Sequence, residues 1–383
     1  MAMNRRGVVY LLSLGVVFLL AILSASMLMR SLTQVNVSQH AFNQASAFQL
    51  ADAGLDQASI NLRTADAADD VLTGTLPIST SSTGTYTILS VVSLDPQTQQ
   101  VTSRGVSSGQ HRDVEAIIRL TPESVFQFGL FGDQTVTVGG NASTDSYDSS
   151  AGPYDANNHH HDGDVGTNSA ASGGVDVSGS IFVDGQIAVG PNVADPTSVV
   201  TGYNPSFITG NPKVVSVGAQ FPMPDVIVPE GLTCVDHTVQ GNTTETLAPP
   251  GPYCYHNLTV EGGAIFTASG AVKIYLTGKL SAKGNSTVGV IDQPSQMRFL
   301  MATNSEVTLN EGMVTGDNAF YGALYGPEAS ITVTGHAEVF GSIIAKNVNL
   351  QGSAWIHYDE SLKNQTDISN TFHTKVVEWR DLD

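Results

Sequence analysis

The sequence predicts an α+β module, made of one long helix and a small antiparallel sheet, followed by an all-β solenoid. Three observations predict this order: an uncharged apolar run between Arg6 and Arg30, three β-rich runs before residue 121, and a short glycine-containing phrase that recurs through the rest of the 383 residues. The predicted segments are a leader at 1–7, a helix at 8–63 with a transmembrane part at 8–29, a sheet at 64–120, a solenoid at 121–362 and a C-terminal tail at 363–383.

The first element is predicted to be a membrane-spanning helix. Residues 8–29 carry no charge, and at about 1.5 Å per residue they span the roughly 30 Å hydrocarbon core. Arg5 and Arg6 precede this run and favour the cytoplasmic side, which places the rest of the chain beyond the inner membrane. A cleaved secretory signal is the alternative, but the run exceeds the usual apolar length of roughly 7–15 residues. Small or apolar residues then recur in steps of three and four from Val37 to Leu62, so the helix is expected to continue.

The continuation of this helix resembles a known family. AFQLADAGLDQASINL at 47–62, together with the leader MAMNRRG, resembles the N-terminal region of PilX-type minor pilins, with Asp52 and Asp56 in place of the usual glutamates. The resemblance implies cleavage by a prepilin peptidase between Gly7 and Val8, methylation of Val8, and packing of the helix against other pilin or pseudopilin subunits. The residues implied in that assembly are Leu12, Phe48, Ala51, Asp52, Gly54, Leu55 and Asp56.

Leu12 departs from the pattern of major pilins, which have a glutamate at this place. The departure favours a subunit at the filament tip or one that is rarely incorporated. The alternative is a chain that is never processed.

The second element is predicted to be an antiparallel meander. Residues 83–93, 99–108 and 112–120 are β-rich runs separated by turn sequences. In pilins, which this module resembles, such a sheet is expected to cover the polar face of the second half of the helix. GVSSG at 105–109 matches the G-x-S-x-G pattern, but it lies between two strands and is predicted to be a hairpin turn.

The third element repeats one phrase, written as apolar-x-apolar, a spacer, glycine, then alternating residues. Copies occur at 136–142, 175–183, 258–266, 307–314, 331–339 and 348–356. Short strands with glycine at the corners predict a solenoid, because glycine permits the bends and the apolar alternation fills the interior. A β-sandwich is the alternative, although its strands usually recur every 8–12 residues or so. The terminal stretch at 371–383 is expected to pack back as a final strand or short helix, because an exposed solenoid end would otherwise aggregate.

Phrases from 126 to 362 also resemble a domain found behind PilX-like N termini. They include YDSSAGPY at 147–154, APPGPYCYHNLTV at 248–260 and AWIHYDESL at 354–362. The resemblance implies an elongated right-handed β-helix displayed outside the filament. It implies no enzymatic activity.

Composition argues against nucleic-acid binding and gives little support to catalysis. The net charge is −19, and residues 121–212 contain ten carboxylates but no Lys or Arg, whereas phosphate contacts need clustered basic residues. Many β-helices cleave polysaccharides with paired carboxylates, for which Asp145, Asp148, Asp162 and Asp164 are candidates. Because no basic residue lies near them in sequence to act as a base or to clamp substrate, no enzyme activity is expected.

Cys234 and Cys254 are the only cysteines. In an oxidising compartment their separation of 20 favours a disulfide, worth about 3 kcal/mol. Two free thiols are the alternative.

The segment DANNHHHDGD at 155–164 is the candidate metal site. Oxygen ligands from Asp155, Asn157, Asp162 and Asp164 would suit calcium, whereas His159, His160 and His161 would suit zinc, nickel or copper. A solvated loop without an ion is the third interpretation. No cofactor other than this calcium is expected.

Together these features predict a minor-pilin-like structural protein that enters a type IV pilus or related filament through its helix. The N terminus is expected in the cytoplasm, with a single pass through the inner membrane and the C-terminal domain in the periplasm and then outside the cell. Its display domain would serve adhesion or assembly and would contact a surface or carbohydrate ligand. The alternatives are a membrane-anchored scaffold that polymerises through its β-helix and, less favoured, a polysaccharide-active enzyme.

Overall fold

The structure is a computed structural model that describes residues 5–63, 73–79, 82–95, 97–302, 308–309, 319–366 and 372–382. For residues 5–12 it describes the backbone alone. The chain forms two compact units, the first made of Met1–Thr121 with Phe372–Asp383 and the second of Pro122–Thr371.

One long helix, α1 (Arg5–Asn61), opens the chain. It is followed by β1 (Thr73–Ser79), β2 (Ser82–Asp95), β3 (Thr98–Ser107), β4 (Gln110–Pro122), β5 (Leu130–Gly140), β6 (Ser143–Tyr147), β7 (Val165–Thr167), β8 (Val175–Gly179), β9 (Phe182–Val183), β10 (Ile187–Val189), β11 (Val200–Thr201), β12 (Val214–Ser216), β13 (Val235–Gln240), β14 (Thr244–Leu247), β15 (Tyr253–Glu261), β16 (Ile265–Ala268), β17 (Val272–Leu276), β18 (Leu280–Lys283), β19 (Thr287–Gly289), β20 (Met297–Met301), β21 (Thr308–Leu309), β22 (Ala319–Val333), β23 (Glu338–Leu350), β24 (Trp355–Asp359) and β25 (Phe372–Asp381). Short 3₁₀ helices occupy Pro196–Val199, Pro205–Phe207, Pro294–Gln296 and Glu360–Asn364.

The two halves of α1 have different surroundings. In the first half large apolar side chains are exposed, among them Leu14 (69%), Phe18 (69%) and Met29 (72%). Among the described residues α1 is the one helix that is long and apolar enough to cross a membrane, a test that a signal sequence near the N terminus also passes. The predicted apolar N-terminal helix is therefore present.

The second half of α1 packs on the first sheet, whose strand order is β1-β2-β3-β4-β25. Strands β1 to β4 pair antiparallel. The buried side of the helix consists of small and apolar side chains: Ala47, Leu50, Ala51, Leu55, Ala58 and Leu62. The prediction that the sheet covers the polar face is wrong, because burying these methyl groups removes apolar surface from water whereas covering the carboxylates would cost solvation.

The terminal stretch forms a strand, as predicted, but it joins the first sheet and not the solenoid. β25 is the neighbour of β4 in the first sheet, and Trp379 packs edge-on against Phe48 of the helix at 5.4 Å between ring centroids. Residues 372–381 thus complete the first unit.

The GVSSG segment forms a hairpin turn, as predicted. Ser107 pairs with Gln110 across the turn, and Ser108 and Gly109 both have positive φ, 47° and 80°. This is the two-residue geometry that suits the twist of antiparallel strands. Gly105, at the start of the motif, instead faces the helix: a Cβ there would lie 1.9 Å from the carbonyl oxygen of Ala47.

The second unit is a mostly β domain built on one large parallel sheet of 20 strands. Within the described residues its strands pair in parallel, and one isolated antiparallel bridge joins Ser146 to His160. Alternate side chains along the strands fill a continuous apolar cluster that includes Leu130, Phe266 and Phe299, all 0% exposed.

Four copies of the recurring phrase stack in register, but not in chain order. Ile331 pairs with Val348, Val348 with Val136, and Val136 with Val175. β23 therefore lies between β22 and β5, which precedes it by about 200 residues. The copy at 258–266 pairs in a different ladder, and the copy at 307–314 lies largely outside the described residues.

Each of these four copies turns its corner at a glycine. We call Gly335, Gly352, Gly140 and Gly179 the glycine ladder; their φ angles are 83°, 89°, 81° and 95°. A Cβ on Gly140 would lie 2.3 Å from the carbonyl oxygen of Gly352, and one on Gly179 would lie 2.3 Å from that of Gly140. Both the backbone conformation and the spacing therefore require glycine.

Cys234 and Cys254 form a disulfide, with their Cα atoms 4.6 Å apart. It ties the segment before β13 to β15.

Replacing both cysteines with alanine is expected to destabilise the second unit by about 3 kcal/mol, since the 20-residue separation fixes how much loop entropy the bond removes from the unfolded chain. Denaturant unfolding of the oxidised protein and of the double variant measures this difference. The variant kept under a reducing agent is the control, and it should match the reduced wild type. Equal stability of the oxidised wild type and the variant would contradict the prediction.

Candidate functional site

The residues implied in helix assembly lie mostly against the chain's own sheet. Ala51 and Leu55 are buried, and a Cβ on Gly54 would lie 2.1 Å from Ser103 Oγ. Asp52 and Asp56 are exposed, and partial burial, followed by the charge of Asp56, raises the pKa of Asp52. The backbone at Gly7, Val8 and Leu12 is helical, and the side chain of Leu12 lies outside the described part of the chain.

A column of side chains crosses four neighbouring strands of the second unit. Tyr321 pairs with Phe340, Phe340 with His357, and His357 with Asp145. Since parallel strands lie about 4.8 Å apart, such positions stack. The ring centroids of Tyr321 and Phe340 are 4.6 Å apart with the ring planes nearly parallel at 6°, and the Phe340 centroid lies 4.7 Å from that of His357. Neighbouring strands therefore place two aromatic rings, an imidazole and a carboxylate side by side in this order.

The column continues to a second carboxylate. Asp184 comes one residue after the paired positions Thr144 and Val183, which places it beside Asp145 on the next strand. The side chain of Asp184 is only 5% exposed, and its Oδ1 accepts a hydrogen bond of 2.7 Å from Thr209 Oγ1. Its Oδ2 faces the loop at 148–164.

Asp145 is held by two partners. His357, which is 2% exposed, places Nδ1 2.6 Å from Asp145 Oδ1, and Tyr154 donates its hydroxyl to Oδ2 at 2.7 Å. Burial, and then the hydrogen bond to Asp145, raises the pKa of Tyr154 well above its usual value. The phenol therefore remains a donor, and the orientation of the carboxylate is fixed from two sides.

Asn158 anchors the loop that covers this column. Its Oδ1 accepts the N–H of Asp148 at 3.2 Å, and its Nδ2 donates to the carbonyl oxygens of Asp148 and Gly152, both at 2.9 Å. Asn158 is only 9% exposed. The loop is therefore closed on itself immediately before its three histidines.

The three histidines do not face the same way. His160 exchanges two backbone hydrogen bonds with Ser146, of 2.7 and 3.3 Å, which holds the chain extended there. Because side chains alternate in an extended chain, His160 points to one side, where its Nδ1 lies 3.0 Å from Glu360 Oε1. His159 and His161 point to the other side.

His159 and His161 converge on the two carboxylates. His159 Nε2 lies 3.3 Å from Asp145 Oδ2 and 3.8 Å from Asp184 Oδ2. His161 Nδ1 lies 2.7 Å from Asp184 Oδ2, and this hydrogen bond is the main reason that the pKa of His161 is raised. In the part of the chain that the structure describes, His159, His161 and Asp184 are the group whose donor atoms all lie within 4.8 Å of one another. We call these three residues the His–Asp cluster.

The predicted calcium ligands have other partners. Asp155 Oδ1 accepts the N–H of Asn157 at 2.7 Å in a local turn, Asp162 Oδ2 lies 3.2 Å from Lys363 Nζ, and Asp164 Oδ1 accepts the N–H of Gln186 at 2.6 Å. Burial raises the pKa of Asp164. The structure does not bring these carboxylates together into one group of donors.

Asp359 ties the start of the loop to the end of β24. It is 0% exposed, its Oδ1 accepts the N–H groups of Ser149 and Ser361, both at 3.1 Å, and its Oδ2 accepts Ser149 Oγ at 2.8 Å. Burial raises the pKa of Asp359 in spite of these bonds.

The raised pKa of Asp359 predicts a pH dependence of stability. The carboxyl group of Asp359 is harder to ionise in the folded protein than in the unfolded chain, whose Asp pKa is about 3.9. Its contribution to the free energy of unfolding is therefore fully present below that pKa and is lost as the pH rises through the higher folded pKa. Asp359→Asn keeps an acceptor for both N–H groups and stays uncharged. Relative to the variant, the wild type should therefore lose unfolding free energy as the pH rises above about 4. Urea unfolding of both proteins across this range tests it, and a difference that does not change with pH would contradict it.

Comparison with known proteins gives a family match and likenesses to solved structures. Residues 250–365 match the model of a family described as a domain of unknown function (DUF7305). No curated protein matches the chain.

The competence-associated pilin ComZ from Thermus thermophilus is similar over 88% of this chain and 97% of its own, with 13% identity and a TM-score of 0.30. The DUF3494 domain of Shewanella frigidimarina ice-binding protein_1 is similar over 63% of this chain and 98% of its own, with 15% identity and a TM-score of 0.27. Both scores are below 0.5, so neither likeness establishes a common fold.

Proposed function

We propose that this protein is a minor-pilin-like structural subunit, anchored in the inner membrane by the first half of α1 and assembled through it with other pilin subunits into a type IV pilus or related filament. The contrast between the two halves of the helix carries the proposal. The second half is covered by the chain's own sheet, whereas apolar side chains from Leu14 to Met29 are exposed. Exposed apolar surface costs about 25 cal/mol per Å² in water, so this half needs lipid or neighbouring helices around it.

The second unit is proposed to be a right-handed β-helix displayed beyond the membrane, where it serves adhesion or assembly and not catalysis. The parallel ladders in register, the interior apolar cluster and the glycine ladder support a solenoid. The acidic surface, with a net charge of −19 for the chain, favours a soluble display domain over one that binds nucleic acid. A surface or a carbohydrate is the proposed ligand.

Mass spectrometry of the N terminus tests the assembly proposal. In protein from sheared filaments or purified envelopes, the expected first residue is methylated Val8, after removal of residues 1–7 by a prepilin peptidase. Gly7→Leu should block this cleavage and remove the protein from filaments. Gly15→Leu is the matched control, because a Cβ at Gly15 meets nothing within 4 Å, and it should be processed normally.

An intact Met1 in filaments or envelopes would overturn the proposal. That result would favour the membrane-anchored scaffold, whose helix needs no processing. Cleavage after Ala25 or another small residue near the end of the apolar run would instead show a secretory signal.

A further inference from the structure

We propose that the second unit binds one divalent transition-metal ion through the His–Asp cluster, with His159 Nε2, His161 Nδ1 and Asp184 Oδ2 as ligands. The proposal does not depend on assembly into a filament.

The spacing of the donor atoms suits a metal ion. With bonds of roughly 2.0–2.1 Å, neighbouring ligand atoms lie about 2.9 Å apart in octahedral and about 3.3 Å apart in tetrahedral geometry. Two separations in the cluster, 2.7 Å from His161 Nδ1 to Asp184 Oδ2 and 3.8 Å from His159 Nε2 to the same oxygen, bracket these values. All three donor atoms lie within 4.8 Å of one another.

Charge also favours a cation at this place. Asp184, the residue after β9, lies beside Asp145 of β6, and both approach His159. The sequence has no Lys or Arg between Arg119 and Lys213. A divalent ion bound through these side chains would compensate the charge of the two carboxylates.

The surroundings hold the ligands in place. Thr209 donates to Oδ1 of Asp184 and leaves Oδ2 for the ion. Asp145 Oδ2, 3.3 Å from His159 Nε2, is itself fixed through Tyr154 and His357. Outer partners of this kind orient metal ligands and commonly change affinity by about 10–100-fold. The three ligands leave further positions for water or for Asp145.

The donor set selects the class of metal. Two imidazole nitrogens and one carboxylate suit Zn²⁺, Co²⁺, Ni²⁺ or Cu²⁺, whereas Ca²⁺ prefers oxygen ligands alone. Zn²⁺ is therefore the probe, and Ca²⁺ should not compete with it.

Calorimetric titration of the full chain in detergent, purified without a histidine tag and stripped with chelator, tests the proposal. The wild type should bind one Zn²⁺ per chain, and Ca²⁺ in hundredfold excess should leave this binding unchanged. His161→Ala is the main variant, because this side chain is 73% exposed and its removal should not disturb folding. It should weaken binding by about tenfold or more, as should His159→Ala and Asp184→Asn.

His160→Ala is the matched control. It removes the same type of side chain from the same loop, but one that faces Glu360, so Zn²⁺ affinity should stay within about twofold of wild type. Thermal unfolding gives a second readout, because Zn²⁺ should raise the melting temperature of the wild type and of His160→Ala but not of His161→Ala. Wild-type affinity in His161→Ala, equal weakening in His160→Ala, or displacement of Zn²⁺ by Ca²⁺ would each overturn the proposal.

Discussion

Gly105→Val should separate the second half of α1 from the first sheet. A Cβ at Gly105 would lie 1.9 Å from the carbonyl oxygen of Ala47 and 2.4 Å from the amide nitrogen of Ala51. Both are backbone atoms of the helix, so no side-chain rotation relieves the overlap and the helix must move away from β3. Overpacking costs about 1–3 kcal/mol where side chains can adjust, and the cost here should exceed about 3 kcal/mol.

Thermal unfolding of the full chain in detergent, with limited proteolysis to locate the loosened region, measures this effect. Gly109→Ala is the control on the same hairpin: its φ is 80°, but its Cβ would meet nothing within 4 Å. The control should lose only the roughly 1–2 kcal/mol of a left-handed backbone. A Gly105 variant as stable as the control would show that the helix does not lie directly on this strand.

Gly140→Ala should destabilise the second unit nearly as strongly. The new Cβ would lie 2.3 Å from the carbonyl oxygen of Gly352 and 2.9 Å from its nitrogen, at a φ of 81°. The left-handed backbone costs about 1–2 kcal/mol and the overlap about 1–3 kcal/mol more. For a unit of this size the sum corresponds to a fall in melting temperature of roughly 5–15 °C.

Gly231→Ala separates the two causes of this loss. Gly231 has the same φ of 81°, but a Cβ there would meet nothing within 4 Å. Calorimetry should show a small shift for Gly231→Ala and a shift about twice as large or more for Gly140→Ala. Equal shifts would mean that the ladder of glycines tolerates a methyl group and that only the backbone conformation matters.

Local periodicity predicted much of the fold. The apolar run and its three-and-four spacing predicted α1, and alternation predicted the strands that became β2, β3 and β4. The place of β25 could not be predicted, because nothing local in residues 372–381 indicates that β4 is its neighbour. The recurring phrase likewise predicted strands, but nothing local in it indicates that β23 pairs with β5.

The candidate site was predicted only in part. The sequence singled out residues 155–164, yet Asp184, Asp145 and His357 reach the loop through strand register, which no spacing along the chain reveals. The choice of His159 and His161 over His160 depends on the backbone bridge to Ser146. The H-x-H pattern of His159 and His161 could have indicated that these two side chains share one side of an extended chain. The calcium interpretation instead relied on carboxylates that have other partners in the structure.

The position of β23 between β22 and β5 determines when the protein can be completed. The strands made first in the second unit, β5 to β12, keep an open hydrogen-bonding edge until β23 and β24 have been synthesised. The first sheet is completed later still, because β25, the neighbour of β4, follows β24 in the sequence. A polypeptide truncated before residue 338 would thus carry unpaired edges in both units. Such edges invite aggregation and proteolysis, so the second unit depends on the synthesis of β23 and β24, and the first unit on that of β25.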